Sequence, residues 1–311
     1  MRPTSPERHP PAHARGVTLI ELVVAIVIVG IIVATVAYFV LPLRQSTDIA
    51  ARAELTDIAD NALQRIGRDV RLALPNSVRV NSSAVPGSVF LELLAVRAAG
   101  RYRADLGGVS GGTDCPNDDP TLPAPGNDEL SFDTVADSCF KTIGTVANAS
   151  SIIPGDWLVL NNYGPGFTGQ DAYATSGTLN RAQIVAVDST SESFRDRIQF
   201  TPTTFQRALH DSPGKRFYVI SGPVSYVCDT TAGTITRYWG YAISATQPTT
   251  FAGASSALIA SDVAACSLDY SPNVAPQVGL LTMRITLTKP LSGGQTESVS
   301  LYNAVHISNV P

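Results

Sequence analysis

Gly16 to Leu43 reads GVTLIELVVAIVIVGIIVATVAYFVLPL, and the rest of the chain is organised around it. From Leu22 to Leu41 there is no charge. About twenty apolar residues rising 1.5 Å each span roughly 30 Å, the thickness of a bilayer core. One acid, Glu21, sits just inside the N-terminal end, behind a short leader that holds Arg2, Arg8 and Arg15. A secretory signal places its cleavage site after the apolar run, which is then lost. The cut read from this sequence falls before the run, between Gly16 and Val17, so the helix stays on the mature protein.

Gly16-Val17-Thr18-Leu19-Ile20-Glu21, followed at once by a membrane-length helix, resembles the G-F-T-L-x-E processing signal of type IV pilins and type II secretion pseudopilins. The resemblance implies cleavage after Gly16 by a prepilin peptidase, N-methylation of the new terminus at Val17, and assembly through a bundle of such helices. Val17 stands where the family usually has Phe, and the sixteen-residue leader is longer than in many relatives. The role of Glu21 has a physical rationale. A carboxylate inside a membrane costs a few kcal/mol on insertion scales and generally has a partner. Cleavage creates an ammonium at Val17, about one helical turn away. When subunits pack side by side, a neighbour's ammonium can neutralise Glu21 and fix the axial stagger, because a buried charge without its partner is strongly unfavourable. The blander reading is a signal anchor whose acid snorkels to the interface. The coincidence of glycine, Thr-Leu-Ile spacer and acid argues against it.

The 311 residues carry a net charge of −4 and no long basic cluster beyond the anchor, which argues against a nucleic-acid partner. Few charges and many Gly, Pro, Ser and Thr suit a β-rich extracytoplasmic domain. Three arginines precede the apolar run and only Arg44 lies close behind it, so the N-terminus is expected in the cytoplasm and the remainder in the periplasm. The expected location is the bacterial inner membrane, single-pass, and then an assembled pilus or pseudopilus. Expected partners are the prepilin peptidase, other major and minor pilins, the inner-membrane assembly platform and membrane lipid.

Pro42 should bend the helix where it leaves the membrane. From Arg44 to Leu74, Leu55, Ile58, Ala59, Ala62, Leu63, Ile66, Val70 and Leu74 recur at three- and four-residue steps as one apolar stripe. Asp48 with Arg52 and Arg65 with Asp69 are spaced as i,i+4 pairs on the wet side. Pro75 is expected to end the helix. Beyond it the period becomes strand-like: 77–80, 88–95, 129–133, 156–161, 183–187, 197–201, 216–221, 224–228 and 234–242 read as strands, 257–265 as a short helix or strand, and 280–288 with 297–307 as a final hairpin. The fold class expected is α+β and type IV pilin-like: a cleaved leader (1–16), a membrane and filament-core helix (17–43), an amphipathic continuation (44–74) and a β-rich domain (75–311), in one lobe or two.

All four cysteines fall on the oxidising side of the membrane, with no C-x-x-C pair, which favours two disulfides over metal ligation. Three connectivities are open. Cys115–Cys139 and Cys228–Cys266 are favoured because each closes a local, Gly/Pro-rich region.

The segments RAEL (52–55), RIGRDVR (65–71) and LPNSVR (74–79), with the ending LYNAVHISNVP (301–311), resemble the minor pilins of the MSHA pilus system, of the MshO type. At a broader level the architecture is similar to the J-type minor pseudopilins of type II secretion. These resemblances imply a scarce subunit that helps initiate or cap a filament, with membership of a secretion pseudopilus as the alternative. A membrane-anchored periplasmic enzyme or binding module is a third reading.

Chemical motifs are thin. Gly108-Val109-Ser110-Gly111-Gly112 satisfies G-x-S-x-G but precedes a loop, whereas a nucleophile elbow needs a strand before it and a helix after it. Gly164 to Gly169 satisfies G-x-G-x-x-G without a helix to receive a pyrophosphate, and reads as a turn. Asp114, Asn117, Asp118 and Asp119 do not match a calcium-loop spacing and read as a solvated acidic loop. His9 and His13 leave with the leader, while His210 and His306 are isolated. No enzyme activity, cofactor or metal is expected.

Overall fold

The structure is a computed structural model. It describes residues 16–103, 115, 129–132, 136–190, 196–206, 212, 214–275, 277–291 and 294–311, and for residues 39–48 the helical backbone alone.

A single helix, α1 (Leu19–Arg71), runs for 53 residues, about 80 Å at 1.5 Å per residue. Thr18 caps it: its backbone is extended, and its hydroxyl accepts a hydrogen bond from the Glu21 N–H at 3.3 Å. The helical backbone continues through Pro42 without interruption. Helix α1 ends three residues before the expected Leu74. The Leu72 N–H still bonds back to the Arg68 carbonyl, but Leu74 donates to Leu94 at 2.9 Å and Val96 donates to Leu72 at 3.2 Å. The sheet edge captures this last turn before Pro75 is reached. Asn76 then takes a left-handed backbone, φ 59°, and its side-chain amide donates to the carbonyls of Asn162 and Asn309.

Twelve strands follow among the described residues: β1 (Arg79–Asn81), β2 (Ser88–Arg101), β3 (Asp137–Lys141), β4 (Trp157–Leu160), β5 (Arg181–Asp188), β6 (Arg197–Thr203), β7 (Arg216–Asp229), β8 (Thr234–Trp239), β9 (Ser255–Ala260), β10 (Val263–Ala275), β11 (Val278–Pro290) and β12 (Thr296–Ser308). Nine form one sheet in the order β1-β2-β7-β4-β5-β6-β3, with β8 added to β7 and β9 to β8. The other three form an antiparallel meander, β10-β11-β12.

Strand β7 organises both halves of the large sheet. It pairs with β2 along its length, while its other edge pairs first with β4, through Phe217 to Ile220, and then with β8, through Val224 to Asp229. The switch falls at Gly222, φ 125°, and Pro223, where the missing N–H and the left-handed glycine are tolerated because the ladder is already irregular opposite Ala95 and Val96. What reads in sequence as two strands, 216–221 and 224–228, is therefore one bent strand serving two lobes.

Each lobe has its own core. In the helix-proximal lobe, Leu55, Ala59, Ala62, Leu63, Ile66 and Val70 of α1 pack on Leu91 and Leu93 of β2, Tyr226 of β7, and Leu281, Met283, Ile285 and Val305 of the meander. In the distal lobe, Tyr102, Phe140, Phe200, Phe205 and Phe217 form an aromatic centre, with Phe140 and Phe217 edge-on at 5.3 Å.

Several strand boundaries differ from the sequence reading. Residues 129–132 form no strand: Phe132 makes one isolated bridge to Phe205, and Asp133 lies outside the described residues. Residues 257–265 divide into β9 and β10 at Ser261-Asp262, with Asp262 at φ 60°. The C-terminal hairpin gains β10 as a third strand, paired from Val263 onward with β11.

The four cysteines pair as Cys115–Cys139 and Cys228–Cys266, with Cα separations of 5.6 and 6.7 Å. The second spans 38 residues, the segment that holds β8 and β9. It joins β7 of the large sheet to β10 of the meander, so it staples the two sheets that enclose the helix.

Candidate functional site

The candidate site is the free end of the rod. Gly16 and Val17 precede the Thr18 cap, and a Cβ at Gly16 would meet nothing within 4 Å. Val17, Leu19 and Ile20 are exposed. Glu21 lies in the first turn of α1, where the unpaired N–H groups and the helix dipole favour a negative charge. Among the described residues no side chain bonds its carboxylate. Thr35 satisfies its hydroxyl within the helix by donating to the Ile31 carbonyl at 2.9 Å, so it adds no unmet polar group to the span. From Leu19 to Tyr38 the mean hydropathy is 3.0 and none of the surface is buried within the chain. A helix apolar on every side and covered on none has a partner outside its own polypeptide.

Residues 11–37 match the family model of the prokaryotic N-terminal methylation motif. This motif indicates a type IV pilin-like or pseudopilin protein, and it implies processing by a prepilin peptidase and assembly with other pilins. The apolar helix behind the motif fits the single-pass anchor typical of type IV pilins. No curated protein and no solved structure matches the chain.

The second half of α1 holds the motif-bearing segment to the domain. Arg65 and Asp69 do not pair. The Asp69 carboxylate turns toward the sheet, where it accepts hydrogen bonds from Tyr226 Oη at 2.7 Å and Arg237 Nε at 2.9 Å. Both ionic side chains are under one-fifth exposed, which makes this a better-shielded contact than a surface pair. Burial, reinforced by the Asp69 hydrogen bond and charge, pushes the Tyr226 hydroxyl well above its ordinary range. Arg52 pairs with Glu297 at 3.5 Å and Glu54 with Lys289 at 2.7 Å, joining the helix to β12 and β11 across exposed surface. The Asp48 side chain lies outside the described residues.

A second polar cluster has no precedent in the sequence reading. Glu92 of β2 is fully buried, accepts from Arg79 Nε at 2.6 Å and from Tyr241 Oη at 3.0 Å, and the Tyr241 hydroxyl also meets Ser225 at 2.7 Å. Arg79 stacks over the Tyr173 ring at 3.7 Å and donates to the carbonyls of Ser244 and Ala245. Burial raises the Glu92 carboxyl above its usual value, against the lowering pull of Arg79. The cluster clamps the 240s loop onto the β1–β2 hairpin. The available signal was the hairpin register, which sets Arg79 directly opposite Glu92.

The remaining motifs carry little. Gly164, Gly166 and Gly169 all have positive φ, at 90°, 95° and 70°, and the segment is closed by Tyr163 and Gly164 donating to Gln170. No helix opens there. The G-x-S-x-G stretch, the oxygen-bearing cluster Asp114, Asn117, Asp118 and Asp119, and His9, His13 and His210 lie outside the described residues. His306 is exposed on β12. Among the described residues no group of three or more His, Cys, Asp or Glu could hold a metal.

Proposed function

We propose that this protein is a minor pilin-like subunit that helps initiate or cap an MSHA-type pilus, with no catalytic role of its own. The supporting observation is the uncovered apolar half of α1, headed by a processing glycine and a first-turn acid without a partner in the described chain. In this reading Val17 becomes a methylated, positively charged terminus, and Glu21 of one subunit meets the Val17 ammonium of another in the membrane. The β-rich domain then lies in the periplasm and selects neighbours. The same leader and rod would serve a J-type minor pseudopilin of a type II secretion system, and the fibre with which the protein co-purifies separates these two readings.

The test is Glu21→Ala in the full-length chain. Membrane insertion is expected to stay intact or improve, since a carboxylate near the bilayer is unfavourable, while incorporation into fibres falls. Normal recruitment of this variant would sink the pairing of Glu21 with a neighbour's terminus. Intact mass supplies the companion measurement: the mature chain should begin at a methylated Val17. A chain retaining its first sixteen residues would favour the anchored enzyme or binding module instead.

A further inference from the structure

The G-x-G-x-x-G stretch, which the pilin-like reading does not use, forms one wall of a groove. Gly164 and Gly166 take left-handed backbone, at φ 90° and 95°, which glycine adopts freely and other residues do not. The turn they make sets the rings of Tyr163 and Phe167 5.7 Å apart and inclined at 44°. Phe167 is 53% exposed, a large apolar ring left in water. The facing wall is the end of β10. Ser271 pairs with Leu280 and Ala275 with Val278, so three residues, Pro272 to Val274, stand opposite Gly279 alone. A bulge of this kind re-aims the side chains it carries. A Cβ on Gly279 would come within 2.7 Å of Tyr270 Oη, so only glycine there lets the Tyr270 ring lie across the strand. Buried Asn309 fixes the floor: its Nδ2 donates to Tyr270 Oη at 3.0 Å and to the Pro272 carbonyl at 2.9 Å, and its Oδ1 accepts the Asn76 N–H at 3.2 Å. The groove so enclosed has a volume of about 590 Å³, within the range of binding clefts.

We propose that this groove binds a proline-rich segment of a partner protein in the polyproline II conformation. The charge and hydrogen-bonding chemistry of the lining identifies the occupant. Among the described residues that line the groove, Arg79 alone is charged, and each of its guanidinium nitrogens already donates, to Glu92, Ala245 and Ser244. A neutral groove calls for a neutral chain. The side-chain amides of Asn273 and Gln277 hold no hydrogen bond among the described residues, and both are exposed. They offer N–H donors, and a proline-rich chain presents carbonyl acceptors with few N–H groups of its own. Two rings inclined to each other leave a slot for a pyrrolidine ring, and aromatic grooves take such chains at little entropic cost because the helix is already formed. A saccharide fits less well. Its hydroxyls donate as well as accept, and no carboxylate lines the groove to receive them.

The probe is a fluorescein-labelled decaproline peptide, titrated with the full-length protein in detergent micelles and followed by fluorescence anisotropy. Saturable binding is expected, with a flexible Gly-Ser peptide of equal length about tenfold weaker. Phe167→Ala should weaken decaproline binding about tenfold, as for the loss of an aromatic anchor, and Phe167→Tyr should retain it. Gln277 has φ 58°, a conformation that glycine accepts, so Gln277→Gly removes the free amide without strain and should weaken binding about fivefold. Both side chains are exposed, so unchanged thermal melts separate loss of binding from loss of fold. The proposal is overturned if decaproline does not saturate, if the Gly-Ser peptide binds equally well, or if neither Phe167→Ala nor Gln277→Gly weakens binding. Binding of maltoheptaose that Phe167→Ala abolishes, with no response to decaproline, would overturn it in favour of a saccharide. Each of these outcomes leaves the pilin-like reading standing, since that reading rests on the other end of α1 and is tested by Glu21→Ala.

Discussion

The two halves of α1 are both rich in aliphatic residues and sit in opposite surroundings. Between Leu19 and Tyr38 no side chain is covered by the rest of the molecule, whereas Leu55, Ala59, Ala62, Leu63, Ile66 and Val70 disappear beneath two sheets. Hydrophobic content does not explain the difference. Its distribution around the axis does: the first half is apolar on every side, and the second confines its apolar groups to one stripe and places charges opposite. A stripe can be satisfied by a single sheet face. An all-round apolar surface needs lipid or other helices. One unbroken helix thus couples a segment that depends on the protein's surroundings to one that depends on the chain itself.

The largest effect should come from cutting into the stripe. Leu55→Ala or Ile66→Ala removes a side chain with at most 1% exposure from the helix-proximal core. Each should cost about 2–5 kcal/mol and lower the thermal midpoint of the full-length protein in detergent micelles. Ile28→Ala, the same kind of truncation in the uncovered half, should leave that midpoint unchanged. Equal losses at Ile28 and Ile66 would abolish the distinction between the halves.

A smaller effect should come from the polar contact that fixes the rotation of the packed half. Asp69→Ala leaves Arg237 and the Tyr226 hydroxyl without their acceptor, in a setting under one-fifth exposed. A loss of about 1–3 kcal/mol follows from stranding such groups. Arg65→Ala should be neutral for stability. A double-mutant cycle on Arg65 and Asp69 should show additivity, while one on Arg237 and Asp69 should not.

These contrasts also mark what could be read from the sequence. The apolar run, its preceding glycine and acid, and the stripe were legible because each is a local pattern with a fixed period. Most of the strands were legible for the same reason. Residues 216–229 were split because Gly222-Pro223 is a breaker in any local reading, and only the change of partner from β4 to β8 shows why the strand survives it. Four-residue spacing pairs Asp69 with Arg65, the nearest option on a helix. The true partners of Asp69 lie 157 and 168 residues away. The end of α1 has no local signal because the competing acceptor, the Leu94 carbonyl, belongs to a strand twenty residues further along the chain. Long-range polar choices of this kind have no periodic signature.

The contrast extends from apolar groups to charge in the two glutamates that flank this system. Glu21, in the uncovered half, has no side-chain partner among the described residues, whereas Glu92 is fully buried between Arg79 and Tyr241. Removing a carboxylate from water raises its pKa, while Arg79 and then the Tyr241 hydrogen bond lower it, and for Glu92 burial prevails. The folded state therefore holds the Glu92 proton more tightly than the unfolded state does. The stabilisation linked to that proton is fully present below the unfolded value and fades as pH rises through the folded one. Across pH 4 to 7, the stability of the native protein relative to Glu92→Gln should thus decline as pH rises, by the smallest margin of the effects considered. Urea melts of both proteins across that range measure it, taken as a difference so that the other carboxylates cancel. A difference that grows with pH would mean that the Arg79 pair outweighs burial, and that the interior of the sheet accommodates charge better than its desolvation allows.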